Sequence, residues 1–202
     1  TTATGLRDYV ILSILYTTGI RVSELIFIKV KDVSLHEPET LLVLGKGNKY
    51  RYVPLMKHVI PYISRYLDIQ GYNHPGKENE WLFKNHMKKQ FTRQGINYLI
   101  SKYTTLAREK APSLIPEDFS PHKIRHSTAM GLVDSGVDLI YIRDLLGHVS
   151  VKTTEVYAKT SAQLKRKAIE AHANKIVPEE VPEWEFDSDL KSWLKDLGKR
   201  KS

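Results

Sequence analysis

The stretch SPHKIRH at residues 120–126 marks the start of a helix. Serine is a favoured N-cap and proline a favoured first helical residue, and Ser120 and Pro121 take those places. His122 and Arg125 are three residues apart, so both lie on one face of the first turn, beside its unpaired N–H groups. The helix dipole, these amides and the planar guanidinium favour an anion. The stretch therefore predicts a phosphate site, although an isolated HxxR would more often be a surface pair on an amphipathic helix.

Other residues suited to phosphate chemistry stand in separate segments. Arg21 lies in the motif TGIRVSEL at a helix start, and Glu24 follows one turn later, where its carboxylate can orient the guanidinium. His148 follows Gly147 in LLGHVS, on a turn between predicted helices. Alone, His148 could be a capping histidine, because a cation is favoured at a helix C-terminus. Its place beside the other motifs favours a functional interpretation.

Eleven tyrosines are present, and most of them have an ordinary explanation. Tyr9, Tyr16 and Tyr103 fall in apolar periodicity, which predicts that they pack in the core. Tyr157 stands instead in the polar context TTEVYAKT, on a short predicted helix after the turn that carries His148. We therefore interpret Tyr157 as a functional residue.

The apolar pattern predicts a mainly α (α+β) chain with a small antiparallel sheet. A nearly continuous apolar segment at 6–17, closed by Gly19, predicts a buried helix, and a second helix is expected to begin near Ile20. Strands at 41–44 and 50–53 flank a glycine-rich turn and form a hairpin with Lys46 at its tip. Further helices are predicted at 55–68, 92–110, 121–134, 138–146, 151–157 and 161–174.

These motifs, in this order, resemble the tyrosine recombinase family of phage integrases, Xer-type recombinases and transposon integrases. The resemblance covers roughly residues 6–172 and implies the family's catalytic-domain fold, a helical bundle with a small antiparallel sheet. It also implies six catalytic residues: Arg21, Lys46, His122, Arg125, His148 and Tyr157. Lys49 and Arg51 are close to the hairpin as well, and Lys46 is preferred for its place between two glycines.

The resemblance implies a mechanism without metal, ATP or any other cofactor. Arg21, Arg125 and His148 would hold the non-bridging oxygens of the scissile phosphate. The Tyr157 phenol would attack, with His122 as the proton acceptor, because a tyrosine ordinarily has a pKa of about 10. Lys46 would protonate the leaving 5′ oxygen. The product would be a 3′-phosphotyrosyl DNA and a free 5′ hydroxyl, which a second strand can reverse.

Composition agrees with a DNA-acting protein. Lys and Arg number 31 against 23 Asp and Glu, a net charge of +8 that favours nucleic acid or an acidic membrane surface. The apolar run at 10–15 is too short to span a bilayer. The absence of cysteine excludes disulfides and thiolate metal sites and suits a reducing cytoplasm. The resemblance implies a prokaryotic protein that is associated with the nucleoid in that compartment. The expected partner is double-stranded DNA. The protein is expected to be a monomer alone and a homotetramer on DNA.

Further basic residues are candidates for DNA contacts. They are Lys49, Arg51, Lys123, Lys165 and Arg166. The run around Lys165 could instead be a solvated helix face, which is equally compatible with the pattern.

The domain organisation follows from a change of composition at Pro178. Residues 1–177 are expected to form the catalytic domain, and 178–202 an acidic and aromatic tail. The tail either docks on a neighbouring protomer during assembly on DNA, as the resemblance implies, packs on its own domain, or stays loose. An N-terminal DNA-clamp domain, which the family normally has, is expected to lie outside this chain.

Three other interpretations account for part of the sequence. His122 and His126 could bind zinc, but HKIRH lacks the glutamate of HExxH and places cations between the histidines, so a metal site is not expected. His126 is expected either to orient a neighbouring site residue or to be a buried hydrogen-bonding residue. A type IB topoisomerase would use nearly the same chemistry without a synapse of sites. A helical DNA-binding module would have no activity. Integration, excision, transposition of a mobile element and chromosome resolution all stay open.

Overall fold

The computed structural model describes residues 2–116 and 119–147. They form a mainly helical fold with one small sheet, as the sequence predicts. The α-helices are α1 (Ala3–Thr18), α2 (Val22–Leu25), α3 (Ile60–Gln70), α4 (Arg93–Lys110), α5 (Pro121–Asp134) and α6 (Leu139–Leu146). The strands are β1 (Val33–Ser34), β2 (Thr40–Leu44) and β3 (Tyr50–Pro54). Short 3-10 helices cover Val30–Asp32 and Pro112–Leu114. The helices predicted at 151–157 and 161–174 and the tail from 178 lie outside the described residues.

Helix α1 passes through the core as predicted, but its tyrosines do not. Thr2 caps its start by accepting from the Gly5 N–H at 3.1 Å, and Gly19 ends it with a φ of 62°, a left-handed conformation that glycine adopts without strain. Tyr9 and Tyr16 are 43% and 63% exposed, so the prediction that they are core residues is wrong. The isoleucines and leucines of α1 fill the inward face, and the amphipathic phenols are left at the surface.

The predicted hairpin is present and has a third strand. β2 pairs with β3 in an antiparallel register that sets Val43 opposite Arg51, and β1 adds two residues beside β2. Val43 and Val53 are fully buried on the inner face. Sequence reasoning missed β1 because two residues are too few to show a two-residue period.

Two helices begin later than the sequence predicts. Helix α2 begins at Val22 rather than Ile20, because Arg21 has an extended backbone and stands at the N-cap. Helix α3 begins at Ile60 rather than residue 55, with Pro61 in its first turn. Proline lacks an N–H and suits the first turn, where no intrahelical acceptor is needed.

Helices α5 and α6 are held against the rest of the fold. The Thr128 hydroxyl of α5 lies 2.6 Å from the Tyr16 carbonyl of α1 and 3.0 Å from the Ile124 carbonyl. Ala129, Ile142 and Leu146 form a small buried cluster between α5 and α6. Both helices have the bounds that the sequence predicts within one residue, because Ser120, Asp138 and Gly147 are strong end signals. Among the described residues, no helix has the length and apolarity that crossing a bilayer requires.

Candidate functional site

Arg21 is positioned by the glutamate one turn along its own helix. Its Nη1 donates to Glu24 Oε1 at 2.9 Å, and its backbone N–H donates to Glu24 Oε2 at 2.9 Å. The side chain is 37% exposed, so the guanidinium is oriented and still open to solvent. The sequence motif predicted this ion pair.

A second arginine, from the hairpin, shares Glu24. Arg51 Nη1 and Nη2 donate to Glu24 Oε1 and Oε2 at 3.1 and 2.8 Å, a bidentate pair. Glu24 is 5% exposed. Burial by itself raises the pKa of Glu24, but the hydrogen bonds and charge of Arg51, with the bonds from Arg21, outweigh it and hold the pKa below its ordinary value. Glu24 is therefore ionised at neutral pH and organises two cations.

Arg125 is the most buried of the catalytic candidates that the structure describes. It is 7% exposed on the first turns of α5, where Ser120 accepts from the Lys123 N–H at 3.4 Å. Its Nη1 donates to the Gly19 carbonyl at 2.5 Å and its Nη2 to the Leu146 carbonyl at 2.6 Å. These bonds tie α5 to the end of α1 and to the end of α6.

Three arginines converge on the C-terminal end of α6. Arg51 Nε donates to the Leu145 carbonyl at 2.8 Å, Arg125 to Leu146, and Arg21 Nη2 to Gly147 at 3.4 Å. The last carbonyls of a helix lack intrahelical partners and carry partial negative charge, so guanidinium groups are favoured there. The segment just before His148 is thereby fixed beside Arg21 and Arg125.

An open cleft of about 350 Å³ joins α2, α4 and α5. We call it the arginine cleft; it is lined by Ile20, Arg21, Val22, Ser23, Arg93, Asn97, Ser120, Pro121, His122 and Arg125. None of these lining residues is acidic, whereas three are arginines. The N-terminal turn of α5 opens onto the same space. The cleft is therefore suited to an anionic group of a large molecule, because it is open and strongly basic.

A second cleft, of about 640 Å³, lies between the hairpin turn and the end of α6. We call it the hairpin cleft; it is lined by Gly45, Lys46, Gly47, Lys49, Tyr50, Arg51, Arg143, Asp144 and Gly147. The two clefts adjoin, because Arg21 of the first donates to Gly147 of the second. Lys46 and Lys49 are both exposed here. A lysine ammonium from the turn is therefore available to an anionic group that binds near Arg21.

The structure brings most of the described candidates into these clefts. Arg21, His122 and Arg125 line the arginine cleft, and Glu24 lies behind Arg21. Lys46 and Lys49 line the hairpin cleft. His148, Tyr157, Lys165 and Arg166 lie outside the described residues.

Three side chains have surroundings that the sequence did not predict. Arg51, a predicted DNA contact, directs its guanidinium inward to Glu24 and Leu145, and its side chain is only 14% exposed. His126 is exposed on α5 rather than buried. Lys123 is half-buried beside the Ser120 cap. Only a tertiary contact could reveal the role of Arg51, because Glu24 is 27 residues away in the chain.

Sequence reasoning missed Arg93, Asn97 and Arg143. Arg93 is the first residue of α4 and Asn97 follows one turn later, both exposed on the arginine cleft. Their spacing of four was a usable signal, since it places them on one helical face. Arg143 lines the hairpin cleft and pairs with Asp144 at 2.7 Å. In the part of the chain that the structure describes, no three histidine, aspartate or glutamate side chains are grouped as metal ligands would be.

Comparison with known proteins agrees with these motifs. The model of the phage integrase family matches residues 1–163. Tyrosine recombinase XerC of Staphylococcus carnosus (strain TM300) is 39% identical over 173 residues, which is 83% of this chain and 54% of XerC. Tyrosine recombinase XerD of Listeria monocytogenes serotype 4b (strain F2365) is 36% identical over 158 residues, 77% of this chain and 51% of XerD. The chain therefore spans about half the length of these curated relatives.

Solved structures show the same fold. The XerH recombinase in a post-cleavage complex with its difH substrate superposes with a TM-score of 0.69 at 29% identity, covering 84% of this chain and 46% of XerH. The XerA recombinase gives a TM-score of 0.66 at 28% identity, covering 84% of this chain and 57% of XerA. The Tn1549 transposon integrase shares the fold alone, at 18% identity and a TM-score of 0.59, over 80% of this chain and 58% of that one. The family match, these relatives and the residues of the two clefts lead to one conclusion: the chain belongs to the phage integrase family of tyrosine recombinases.

Proposed function

We propose that this chain is the catalytic part of a site-specific DNA recombinase, which cleaves and rejoins strands through a covalent bond between DNA and Tyr157. The observation that carries the proposal is the arginine cleft. Arg21, His122 and Arg125 come from two distant segments of the chain and line one basic, open space. Buried and oriented guanidinium groups beside a helix N-terminus are what a phosphodiester in its transition state requires.

Each chemical step uses a residue of the two clefts or of the segment that follows α6. Arg21 and Arg125 bind the non-bridging oxygens of the scissile phosphate, with His148 as a third donor. The Tyr157 oxygen forms a bond to phosphorus and gives its proton to His122. The bond from phosphorus to the 5′ oxygen breaks, and Lys46 gives that oxygen a proton. The products are a 3′-phosphotyrosyl strand and a 5′-hydroxyl strand, and the phosphodiester energy is retained for rejoining.

The proposed partner is double-stranded DNA, and the proposed assembly on it is a tetramer. Support for the DNA partner comes from XerH, whose structure contains its difH substrate, and from the net charge of +8. A cytoplasmic location beside the nucleoid follows from the same proposal. Phage integration, transposition and chromosome resolution are alternatives that depend on the target site rather than on the chemistry.

A trapping experiment tests the covalent step. The purified protein is incubated with a pool of nicked duplexes. Because of the nick, a cleaved strand loses its short 5′-hydroxyl fragment and cannot be rejoined. The sequences around the nick are randomised, so that the pool contains many possible target sites. We expect a DNA–protein adduct that survives denaturation, and peptide mapping should find the DNA on residue 157. Sequencing of the trapped DNA identifies the preferred duplex.

The control variant is Tyr157→Phe, which removes one oxygen atom. It should bind the selected duplex as the parent protein does and form no adduct. A helical binding module would form no adduct in either protein, and an adduct on another residue would contradict the proposed nucleophile. Joining of strands from two duplexes separates a recombinase from a topoisomerase, which only changes linking number.

A further inference from the structure

Arg51 joins three elements through its guanidinium. Nε donates to the Leu145 carbonyl of α6, and the two terminal nitrogens form the bidentate pair with Glu24 of α2. The residue itself belongs to β3. The planar guanidinium of an arginine has donors in three directions and can make all these bonds at once. The compact ammonium of a lysine cannot. All three guanidinium nitrogens thus face protein acceptors.

The guanidinium lies in a slot between two glycines. A Cβ at Gly45 would stand 3.0 Å from Arg51 Nη1, and a Cβ at Gly147 would stand 2.9 Å from the same atom. Gly45 begins the hairpin turn, and Gly147 ends α6 with a φ of 63°. Backbone therefore approaches the Arg51 guanidinium closely from both sides, and a side chain at either glycine would push against it.

The turn that carries Lys46 begins at this slot. Lys46 follows Gly45 directly, and the turn is closed by the Gly45 N–H donating to the Lys49 carbonyl at 2.8 Å. Lys46 is exposed, and a lysine stem has many rotamers. Where its ammonium can reach depends on where the turn is anchored. Arg51 supplies that anchor, since it is fixed to Glu24, which also holds Arg21.

We propose that Arg51 is a positioning residue that holds the β2–β3 turn against α2 and the end of α6, and so places Lys46 relative to the phosphate bound by Arg21 and Arg125. The inference rests on the proposed function, because it gives Arg51 a part in that strand cleavage. Arg51 does not bind the phosphate. Its loss impairs proton delivery to the leaving oxygen more than it impairs phosphate binding.

The test compares two forms of the duplex selected by trapping. One has the ordinary phosphodiester, and the other has sulfur in place of the bridging 5′ oxygen at the cleavage position. In the second form the phosphorus–sulfur bond breaks and a thiolate departs without needing a proton, since thiols are far more acidic than alcohols. The ratio of the two cleavage rates therefore reports on leaving-group protonation.

We expect Arg51→Ala to slow cleavage of the oxygen substrate on the order of 100-fold, the loss typical of a misplaced catalytic group. The sulfur substrate should be slowed less than about tenfold, because it needs no general acid. Lys46→Ala should show the same selective loss. Arg125→Ala, which removes a phosphate ligand, should slow both substrates alike.

Two further variants separate positioning from loss of folding. Arg51→Lys keeps the positive charge but loses the planar guanidinium, so it should give an intermediate ratio of the two cleavage rates. If Arg51→Ala does not fold, the test is made on Arg51→Lys. Tyr66→Phe removes the buried bond from the Tyr66 hydroxyl to the Leu82 carbonyl, outside both clefts, and should leave the ratio unchanged.

Equal slowing of both substrates by the Arg51 variants would overturn the inference and leave a structural role alone. So would cleavage of both substrates by Arg51→Ala at the rates of the parent protein. If the parent protein cleaves neither substrate, the proposed function itself fails, and this outcome is distinct from the other two.

Discussion

Glu24 and the two arginines around it differ sharply in exposure. Glu24 is 5% exposed, the Arg51 side chain 14% and the Arg21 side chain 37%. A buried carboxylate without partners would be strongly disfavoured, and here two guanidinium groups neutralise it. The gradient leaves Arg21 as the outward member of the group, and it is Arg21 that lines the arginine cleft. Glu24 thus holds two guanidinium groups together that would otherwise repel each other.

The lowered pKa of Glu24 gives stability a defined dependence on pH. Ionised Glu24 stabilises the fold fully above its unfolded value of 4.5, and the contribution is lost as the pH falls through the lower folded value. Glu24→Gln should therefore reduce the free energy of unfolding by roughly 1.5–3 kcal/mol near neutral pH, the range for hydrogen bonds to charged groups. The difference between the two proteins should shrink below pH 4.5.

Urea denaturation of both proteins between pH 3 and 7 measures this difference. Glu78→Gln is a matched control, because Glu78 is exposed and its bond to the Gly76 N–H is outside the site. A Glu24→Gln difference that grows on acidification would contradict the stabilising role of the carboxylate.

Helix α6 is the element that brings the site together. It has only eight residues, yet its last carbonyls accept from Arg21, Arg51 and Arg125. On its inner side, Leu146 is fully buried, and a Cβ added at Gly19 would lie 2.7 Å from its Cδ2. Close packing against the end of α1 thus fixes the position of the C-terminal end of α6 relative to the three arginines.

Leu146→Ala should disturb both packing and the site. A buried leucine replaced by alanine loses about 2–5 kcal/mol of unfolding free energy through the lost transfer term and the cavity. Ile140→Ala is the control on the same helix, since Ile140 is 53% exposed and its loss should change stability by about 0.5 kcal/mol or less. Thermal and urea denaturation compare the two variants, and equal effects would refute the packing role of Leu146.

The whole chain has a net charge of +8, and basic side chains predominate in the linings of the two clefts. The described linings of these clefts contain Arg21, Arg51, Arg93, Arg125, Arg143, Lys46 and Lys49, with Asp144 as the acidic residue among them. A positive field over a continuous surface raises the association rate and the affinity for a polyanion. The net charge of +8 thus favours the proposed binding of DNA but does not indicate which surface binds it.

Binding to duplex DNA should therefore weaken steeply as salt rises. Each neutralised phosphate contributes about −0.9 to the slope of log affinity against log salt concentration. Lys49→Gln should weaken binding and reduce the magnitude of this slope by about one. Lys77→Gln is the control, because Lys77 lies outside both clefts and 3.5 Å from Glu80. Fluorescence anisotropy at several salt concentrations gives the slopes, and an unchanged slope for Lys49→Gln would remove it from the DNA contacts.

The sequence by itself determined where α1 ends, the bounds of α5 and α6 within one residue, the hairpin and most candidate site residues. Ser120, Gly19 and Gly147 are local signals whose effect depends on backbone geometry within a few residues, so they can be read without a fold. The pair of Arg21 and Glu24 is local for the same reason, being one helical turn apart. Family motifs supplied the remaining candidates, and the catalytic and DNA-binding roles of all the candidates stay predictions.

The tertiary structure alone decided how these pieces meet. The inward direction of Arg51, the burial of Arg125 and the place of Arg93 on the arginine cleft all depend on contacts between segments distant in the chain. The exposure of Tyr9 and Tyr16 was likewise unpredictable, because periodicity marks an apolar face but not which side chains the neighbouring elements cover. The residues next to Arg51 in the chain do not decide whether its guanidinium faces solvent or a carboxylate. Packing against Glu24 and the end of α6 decides this.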